Sequence, residues 1–168
     1  MNVAESFFGR YILFLVVCLI QALVVSIGDL FFIDIYCVHP VKFVLAAVVT
    51  GICFATINYS LSYALEKIGL GASVIIMVIQ VAGSGGSYPV QVLPEIFQFL
   101  YPIMPFKYAM NAMREAIGGT YASNYLIDIL VLLLVTVIFI VFGILVKKPA
   151  SKLNDIINKS SEKAEIML

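Results

Sequence analysis

Charge is scarce in this chain: 12% of its 168 residues are Asp, Glu, Lys or Arg, against 62% hydrophobic. A chain of this size cannot hide so much apolar surface in one small water-soluble core, so the composition points to a bilayer. Basic and acidic residues number 10 each, and no basic patch marks a nucleic-acid partner. Cys18, Cys37 and Cys53 form no C-x-x-C pair, which argues against a disulfide or redox framework. Cys18 and Cys53 fall in apolar runs and act there as small apolar residues. His39 follows Cys37 by two positions, but without a third or fourth ligand the pair makes a poor zinc site and reads as loop. No Ser-His-Asp, Cys-His or H-E-x-x-H constellation is present. Gly83-Ser84-Gly85-Gly86 is not followed by the Lys that a phosphate loop requires. No enzymatic activity, cofactor or metal is therefore expected of this chain.

What is present is a set of long apolar runs. A hydrocarbon core about 30 Å thick takes roughly 20 helical residues to cross. Residues 11–33 form the first such run, with Gln21, Ser26 and Asp29 as polar interruptions, and residues 43–65 form an uncharged second. Residues 68–82 would rise only about 22 Å at 1.5 Å per residue and fall short unless the next segment continues inside the membrane. Residues 125–146 are the fourth, uninterrupted after Asp128. The predicted architecture is all-α: a polytopic membrane protein with four transmembrane helices and an outer re-entrant or interfacial half-helix hairpin.

Four spans put both termini on one side. That side carries Arg10, Lys67, Lys147, Lys148, Lys152, Lys159 and Lys163, leaving Lys42, Lys107 and Arg114 for the other. Lys and Arg are retained on the cytoplasmic face during insertion, so both ends are predicted cytoplasmic. Residues 1–9 are mildly acidic and precede a long apolar run, which reads as a retained anchor and not a cleaved signal. The membrane domain is expected over residues 1–146. A polar cytoplasmic tail follows over 147–168, where Leu153, Ile156 and Ile157 suit either a short amphipathic surface helix or a frayed terminus.

Two features suggest helix packing. Ala47, Gly51 and Ala55 recur every fourth residue, with Asn58 and Ser62 continuing near the same face; small residues at this spacing let backbones approach, although Ala and Gly are also simply common in such helices. Gln21, mid-span, would leave its amide unpaired in lipid and is expected to face other helices or a wet cavity.

Between the third and fourth runs the pattern changes. Gly83, Ser84, Gly85 and Gly86 end the helix or turn it sharply, and Pro89 and Pro94 follow. Pro94 can open a short helix over 94–100, with Glu95 in its favourable first turn. Pro102 and Pro105 interrupt it, and a second half-helix is predicted over 105–117, closed by Gly118-Gly119. Phe106, Ala109, Met110, Met113 and Ile117 mark one face of it, Lys107, Asn111, Arg114 and Glu115 the other. With Tyr88, Tyr101, Tyr108 and Tyr121 nearby, this describes a membrane hairpin whose free backbone groups need cover from protein or water. It reads as a static cap or as a gate built on Gln80, Gly83, Ser84, Gly85, Gly86, Pro89, Pro94, Pro102 and Pro105. Arg114 and Glu115 form a polar pair that faces solvent or meets other spans or lipid headgroups.

The run Gln80-Val81-Ala82-Gly83-Ser84-Gly85-Gly86-Ser87-Tyr88-Pro89, then Leu93-Pro94, Pro102-Ile103-Met104-Pro105-Phe106-Lys107-Tyr108-Ala109 and Arg114-Glu115-Ala116-Ile117-Gly118-Gly119 resembles the C-terminal membrane region of the YhgE/Pip family. That family includes phage infection proteins of Gram-positive bacteria, resembles the ABC-2 type export permeases and is related to a type VII secretion accessory protein. The resemblance covers most of residues 1–146. It implies a six-span fold whose first span is followed by a large ectodomain, of which this chain matches the last four spans. The expectation is then a fragment, a split-gene product or a shortened form lacking the N-terminal spans and ectodomain. The resemblance implies an export permease of a Gram-positive cell membrane, working as a homo-oligomer with a separate ATP-binding cassette ATPase, its second and third spans lining the pathway and its hairpin closing it. The alternative is a non-transporting anchor for a surface ectodomain, as in a phage receptor or a secretion accessory.

Overall fold

The computed structural model describes residues 3–86, 89–120 and 124–166, with side chains from residue 5 to residue 151 within those segments. Among these residues the regular structure is entirely helical: α1 (Val3–Phe31), α2 (Pro40–Gly83), α3 (Glu95–Leu100), α4 (Pro105–Gly118) and α5 (Asn124–Ile166), with single 3-10 turns at Val90–Val92 and Tyr101–Ile103. Three helices are long and apolar enough to cross a membrane: Glu5–Phe31, Pro40–Gly83 and Asn124–Ser151. Their exposed residues are predominantly Leu, Ile, Val and Phe, the surface that a hydrocarbon solvent requires. The chain is a multi-span all-α membrane protein.

The second of these helices combines two of the predicted runs. Glu66 interrupts it with φ 52° and ψ −120°, outside helical geometry. Beyond that point the chain turns back on itself, because Ile76 packs into the cluster formed by Cys53, Ile57 and Leu61. A Cβ on Gly69 would fall 2.0 Å from the Leu61 carbonyl oxygen, so the reversal is closed by direct backbone contact that only glycine permits. Three spanning helices with one internal reversal thus stand where four separate runs were read. Helix α1 begins well before Tyr11, and α5 continues past Val146 through Pro149 to Ile166 as helical backbone. The side chains of Leu153, Ile156 and Ile157 lie outside the described residues.

The long helices converge at two ends. At one, Phe7 and Tyr11 of α1 pack on Tyr59 of α2, and Gly143 of α5 comes so close that a Cβ there would stand 2.8 Å from the Phe7 ring. Tyr59 donates a hydrogen bond to the Phe7 carbonyl (2.9 Å), and Lys147 forms an ion pair with Glu66 (2.9 Å). At the other end Phe43 and Ala46 of α2, Ala112 and Ala116 of α4, and Tyr125 and Ile129 of α5 form a second core, with Leu30 and Cys37 against it. Of the predicted basic cluster, Arg10 lies near Tyr59 and Lys147 pairs with Glu66 at the Phe7 end; the side chains of Lys152, Lys159 and Lys163 lie outside the described residues. Lys42 sits at the Tyr125 end, where it donates to the Thr120 hydroxyl (3.2 Å) and stacks over the Tyr125 ring.

The connection from α1 to α2 is tied to α4. Val38 and His39 donate backbone hydrogen bonds to the carbonyls of Ile117 and Ala116 (3.1 and 3.0 Å), and the Cys37 thiol also approaches the Ala116 carbonyl. The last carbonyls of a helix have no partner within it, and these bonds supply one. Cys37 and His39 thus act through their backbone and a packing contact.

Candidate functional site

The interrupted segment between α2 and α5 is where the backbone departs most from spanning helix. Gly83 ends α2, and Ser84 is buried, donating back to the Val81 carbonyl (3.1 Å) while accepting from the Gly86 amide (3.3 Å). Gly85 takes φ 70°, the left-handed conformation that glycine adopts without steric cost. A Cβ at Gly83 would stand 2.8 Å from the Phe97 ring and 2.9 Å from the Met104 methyl, so α3 and the turn after it pack directly on the end of α2. Pro89 caps the first 3-10 turn; Pro94 stands at the N-cap of α3, one residue outside the helix it was expected to open. Pro102 lies within the second 3-10 turn, and Pro105 occupies the first position of α4, where its missing N–H costs nothing. Tyr88 and Tyr121 lie outside the described residues.

Helix α4 runs antiparallel to α5. Ala116 meets Tyr125 and Ile129, Ala109 meets Leu132, and Met104 and Pro105 share a cavity with Val135, Ile138 and Phe139. From Asn124 to Phe139 is 15 residues, about 22 Å of helix at 1.5 Å per residue, so α4 starts deep beside the middle of α5 and climbs to its end. The half-helix is therefore re-entrant in form. Its innermost face is a strip of small residues, Ala109, Ala112 and Ala116, which lets it lie close to α2 and α5. The expected apolar residues flank that strip: Phe106 packs edge-on to Phe54, and Met113 and Ile117 border the Tyr125-end core.

The polar face of α4 does not open simply to solvent. With the start of α5 it encloses a cavity of about 320 Å³ lined by Lys107, Tyr108, Asn111, Arg114, Glu115, Asn124, Ile127 and Asp128. Arg114 crosses to the glycine turn and donates to the Gly85 carbonyl (3.0 Å). Lys107 stands over the Tyr101 and Tyr108 rings at 4.9 and 5.1 Å, and Tyr108 donates to the Pro102 carbonyl. The two carboxylates are less well served. Glu115 Oε2 is buried without a hydrogen-bond partner, and Asp128, 7% exposed, accepts no hydrogen bond among the described residues, with the Lys107 charge attracting it and the Glu115 charge repelling it through space.

A second cavity of about 330 Å³ lies deeper along the same seam, lined by Ile57, Ile76, Ile79, Gln80, Leu100, Ile103, Met104, Pro105, Val135, Ile138 and Phe139. Gln80 is its polar member; the residue is 5% exposed and its Oε1 has no partner. The structure thus brings Gln80, Gly83, Ser84, Gly85, Gly86, Pro105, Arg114 and Glu115 into one region, with Pro89, Pro94 and Pro102 shaping its connections. Lys107 and Asp128 complete the charged cavity without having been singled out from sequence. Asp128 is the fifth residue of α5, past its first turn, and its place within an apolar spanning run was the available signal.

The small-residue stripe serves a different contact. Gly51 faces α1, where a Cβ would meet Cys18 Sγ at 3.0 Å and Ala22 Cβ at 3.3 Å. Gln21, Gly51, Ala55 and Asn58 line a groove of about 700 Å³ between α1 and α2, also bordered by Ser62 and Leu70. Ala47 is partly buried one turn before Gly51 and is not among the lining residues.

An all-helical membrane protein whose spans embrace a broken, re-entrant segment belongs among the permease-like membrane proteins. Residues 1–145 match the family model of the ABC-2 family transporter protein, and the chain belongs to that family. It is also similar to the uncharacterized protein YhgE of Bacillus subtilis (strain 168), with 29% identity over 118 residues, 70% of this chain. The matched part is 15% of that relative's length. No solved structure matches the chain.

Proposed function

We propose that this chain is the pathway-forming membrane part of an ABC-2-type exporter in a Gram-positive cell membrane, driven by a separate ATP-binding cassette ATPase and hydrolysing no nucleotide itself. The observation that carries the reading is the re-entrant α4, which sets a charged cavity and an apolar one against a spanning helix instead of a sealed helix contact. Membership of the ABC-2 family supports it. In this reading the Lys147 end faces the cytoplasm, in keeping with the positive-inside rule. The broken segment from Gln80 to Met104 closes the pathway on the outer side. The groove holding Gln21, Gly51, Ala55 and Asn58 receives a second copy or spans from the rest of a longer protein.

The test is purification at native expression level from its own membrane in mild detergent, followed by mass spectrometry of what accompanies it. A co-purifying ATP-binding cassette protein, with ATP hydrolysis stimulated by this chain, is the expected result. The alternative reading, a non-transporting anchor for a surface ectodomain, is favoured by one observation: most of the YhgE relative's length lies outside the matched part. Recovery of ectodomain-bearing or secretion components without any ATPase would decide for the anchor. Orientation is tested separately by a membrane-impermeant maleimide on single cysteines introduced at Lys148 and Lys42 in a cysteine-free background. Labelling of position 42 alone in intact cells is expected.

A further inference from the structure

The polar demand of the α4–α5 seam is one-sided. Arg114 already donates to Gly85, and Lys107 is engaged with two aromatic rings. Asp128 is nine-tenths buried and accepts no hydrogen bond among the described residues, with Lys107 acting on it only through space, and Glu115 Oε2 is buried without a hydrogen-bond partner in the same cavity. Buried carboxylate oxygens without donors are costly, and the group that meets two of them at once is a multi-donor cation. An ammonium has three donors to share.

The seam also has a direction. Asn124, Ile127, Asp128, Val135, Ile138 and Phe139 fall on one helical stripe of α5, the first three at the charged cavity and the last three at the apolar one. Ten residues separate Asp128 from Ile138, about 15 Å of helix rise, a distance that an extended headgroup and the first part of an acyl chain cover. Ile127, which lines the charged cavity, is half exposed, so lipid reaches its rim.

We propose that the seam between α4 and α5 binds an amphiphile bearing a primary ammonium headgroup, the ammonium held between Asp128 and Glu115 and the chain lying in the cavity formed by Gln80, Val135, Ile138 and Phe139. That the bound amphiphile is also the exported cargo rests on the permease reading above. Its binding does not, because retention is measured without an ATPase.

The experiment is native mass spectrometry of the full chain in nanodiscs of equimolar phosphatidylethanolamine, phosphatidylcholine and phosphatidylglycerol. Choline carries the same charge as ethanolamine but no N–H donor, so the comparison isolates the hydrogen bonds. Wild type is expected to retain phosphatidylethanolamine at least tenfold over the other two, in line with charge-assisted bonds to buried carboxylates. Asp128→Asn is expected to bring that preference within twofold, and Glu115→Gln, on the other helix, reports independently if the first variant fails to insert. Ile138→Trp, which fills the apolar cavity, should reduce total retention without restoring choline binding. Dodecylammonium should displace the phospholipid from wild type. In native-membrane extracts, a co-purifying ethanolamine phospholipid identifies a bilayer lipid as the ligand, and a different amine-bearing amphiphile identifies cargo. Equal retention of ethanolamine and choline lipids, no displacement by dodecylammonium, or no change in either carboxylate variant overturns the proposal.

Discussion

The chain breaks its helical backbone twice within 20 residues, and the two breaks are built in opposite ways. At Glu66 the reversal is filled: Gly69 lies against the Leu61 carbonyl, Ile76 packs on Ile57, and Lys147 seals the surface. From Gly83 to Gly86 the backbone is itself closely packed, but the region around it is looser: Gln80 and Glu115 line separate cavities and keep unpartnered oxygens. Between helices in lipid, van der Waals packing and hydrogen bonds replace the hydrophobic effect as the main attraction. A filled reversal thus contributes to holding the spans together, whereas an open break gives up some of that stability and leaves room for a ligand or a movement.

The sharpest way to break the comparison is a methyl at Gly69. Its Cβ would lie 2.0 Å from a backbone oxygen that has no rotamer to escape into, so Gly69→Ala should cost more than about 3 kcal/mol, the upper range for overpacking. Loss of the monodisperse peak on size-exclusion chromatography in detergent is the expected readout. Gly71, with nothing within 4 Å of its added Cβ, is the control; Gly71→Ala should be stabilising by up to about 1 kcal/mol through helix propensity. If both variants behave alike, the reversal is not closed as described.

Gly83→Ala tests the other break. Its new Cβ meets the near edge of the Phe97 ring and the flexible end of Met104, so the expected loss is about 1–2 kcal/mol in thermal unfolding, at the lower end of overpacking costs. Met104→Ala in the same chain should recover most of it. Gly85→Ala and Gly86→Ala follow. Gly85 has φ 70°, and a left-handed alanine costs about 1 kcal/mol, so insertion and folding should survive in both. If the segment moves during function, the transport or assembly phenotype of the intact protein is lost; unchanged activity assigns the segment a static role.

The contrast also explains what was legible in the sequence. The apolar runs are long and nearly uncharged, so the membrane class and the helical segments followed from hydropathy alone. The glycine and proline positions marked each end of α3 and α4 to within a residue because those residue types act locally. Glu66 was harder: it is a charged residue between two apolar runs, which announces a reversal but not the non-helical backbone that performs it. The α4–α5 cavity was not readable. Lys107, Glu115 and Asp128 come from two helices 13 residues apart at their nearest, and only the antiparallel path of α4 brings them onto one wall. The stripe holding Gly51 was visible, whereas its partner surface of Cys18 and Ala22 required the fold.

The smallest effect belongs to the ion pair that covers the filled break. Lys147 and Glu66 meet at 2.9 Å, but their side chains are 27% and 43% exposed, and a partly exposed pair is screened by water and salt. Lys147 also stands over the Tyr63 ring at 5.2 Å, so Lys147→Met removes that contact together with the ion pair. The coupling measured by the double-mutant cycle of Lys147→Met and Glu66→Gln should fall below about 1 kcal/mol. A coupling several times larger would mean that the pair, and not the glycine contact beneath it, holds the reversal closed. In that case Gly69→Ala should be milder than expected, and raising the salt concentration should loosen the reversal in wild type. With the coupling small, the reversal is held by backbone contact that salt does not reach, while the open break near Gly85 remains the part of the chain free to respond to a ligand.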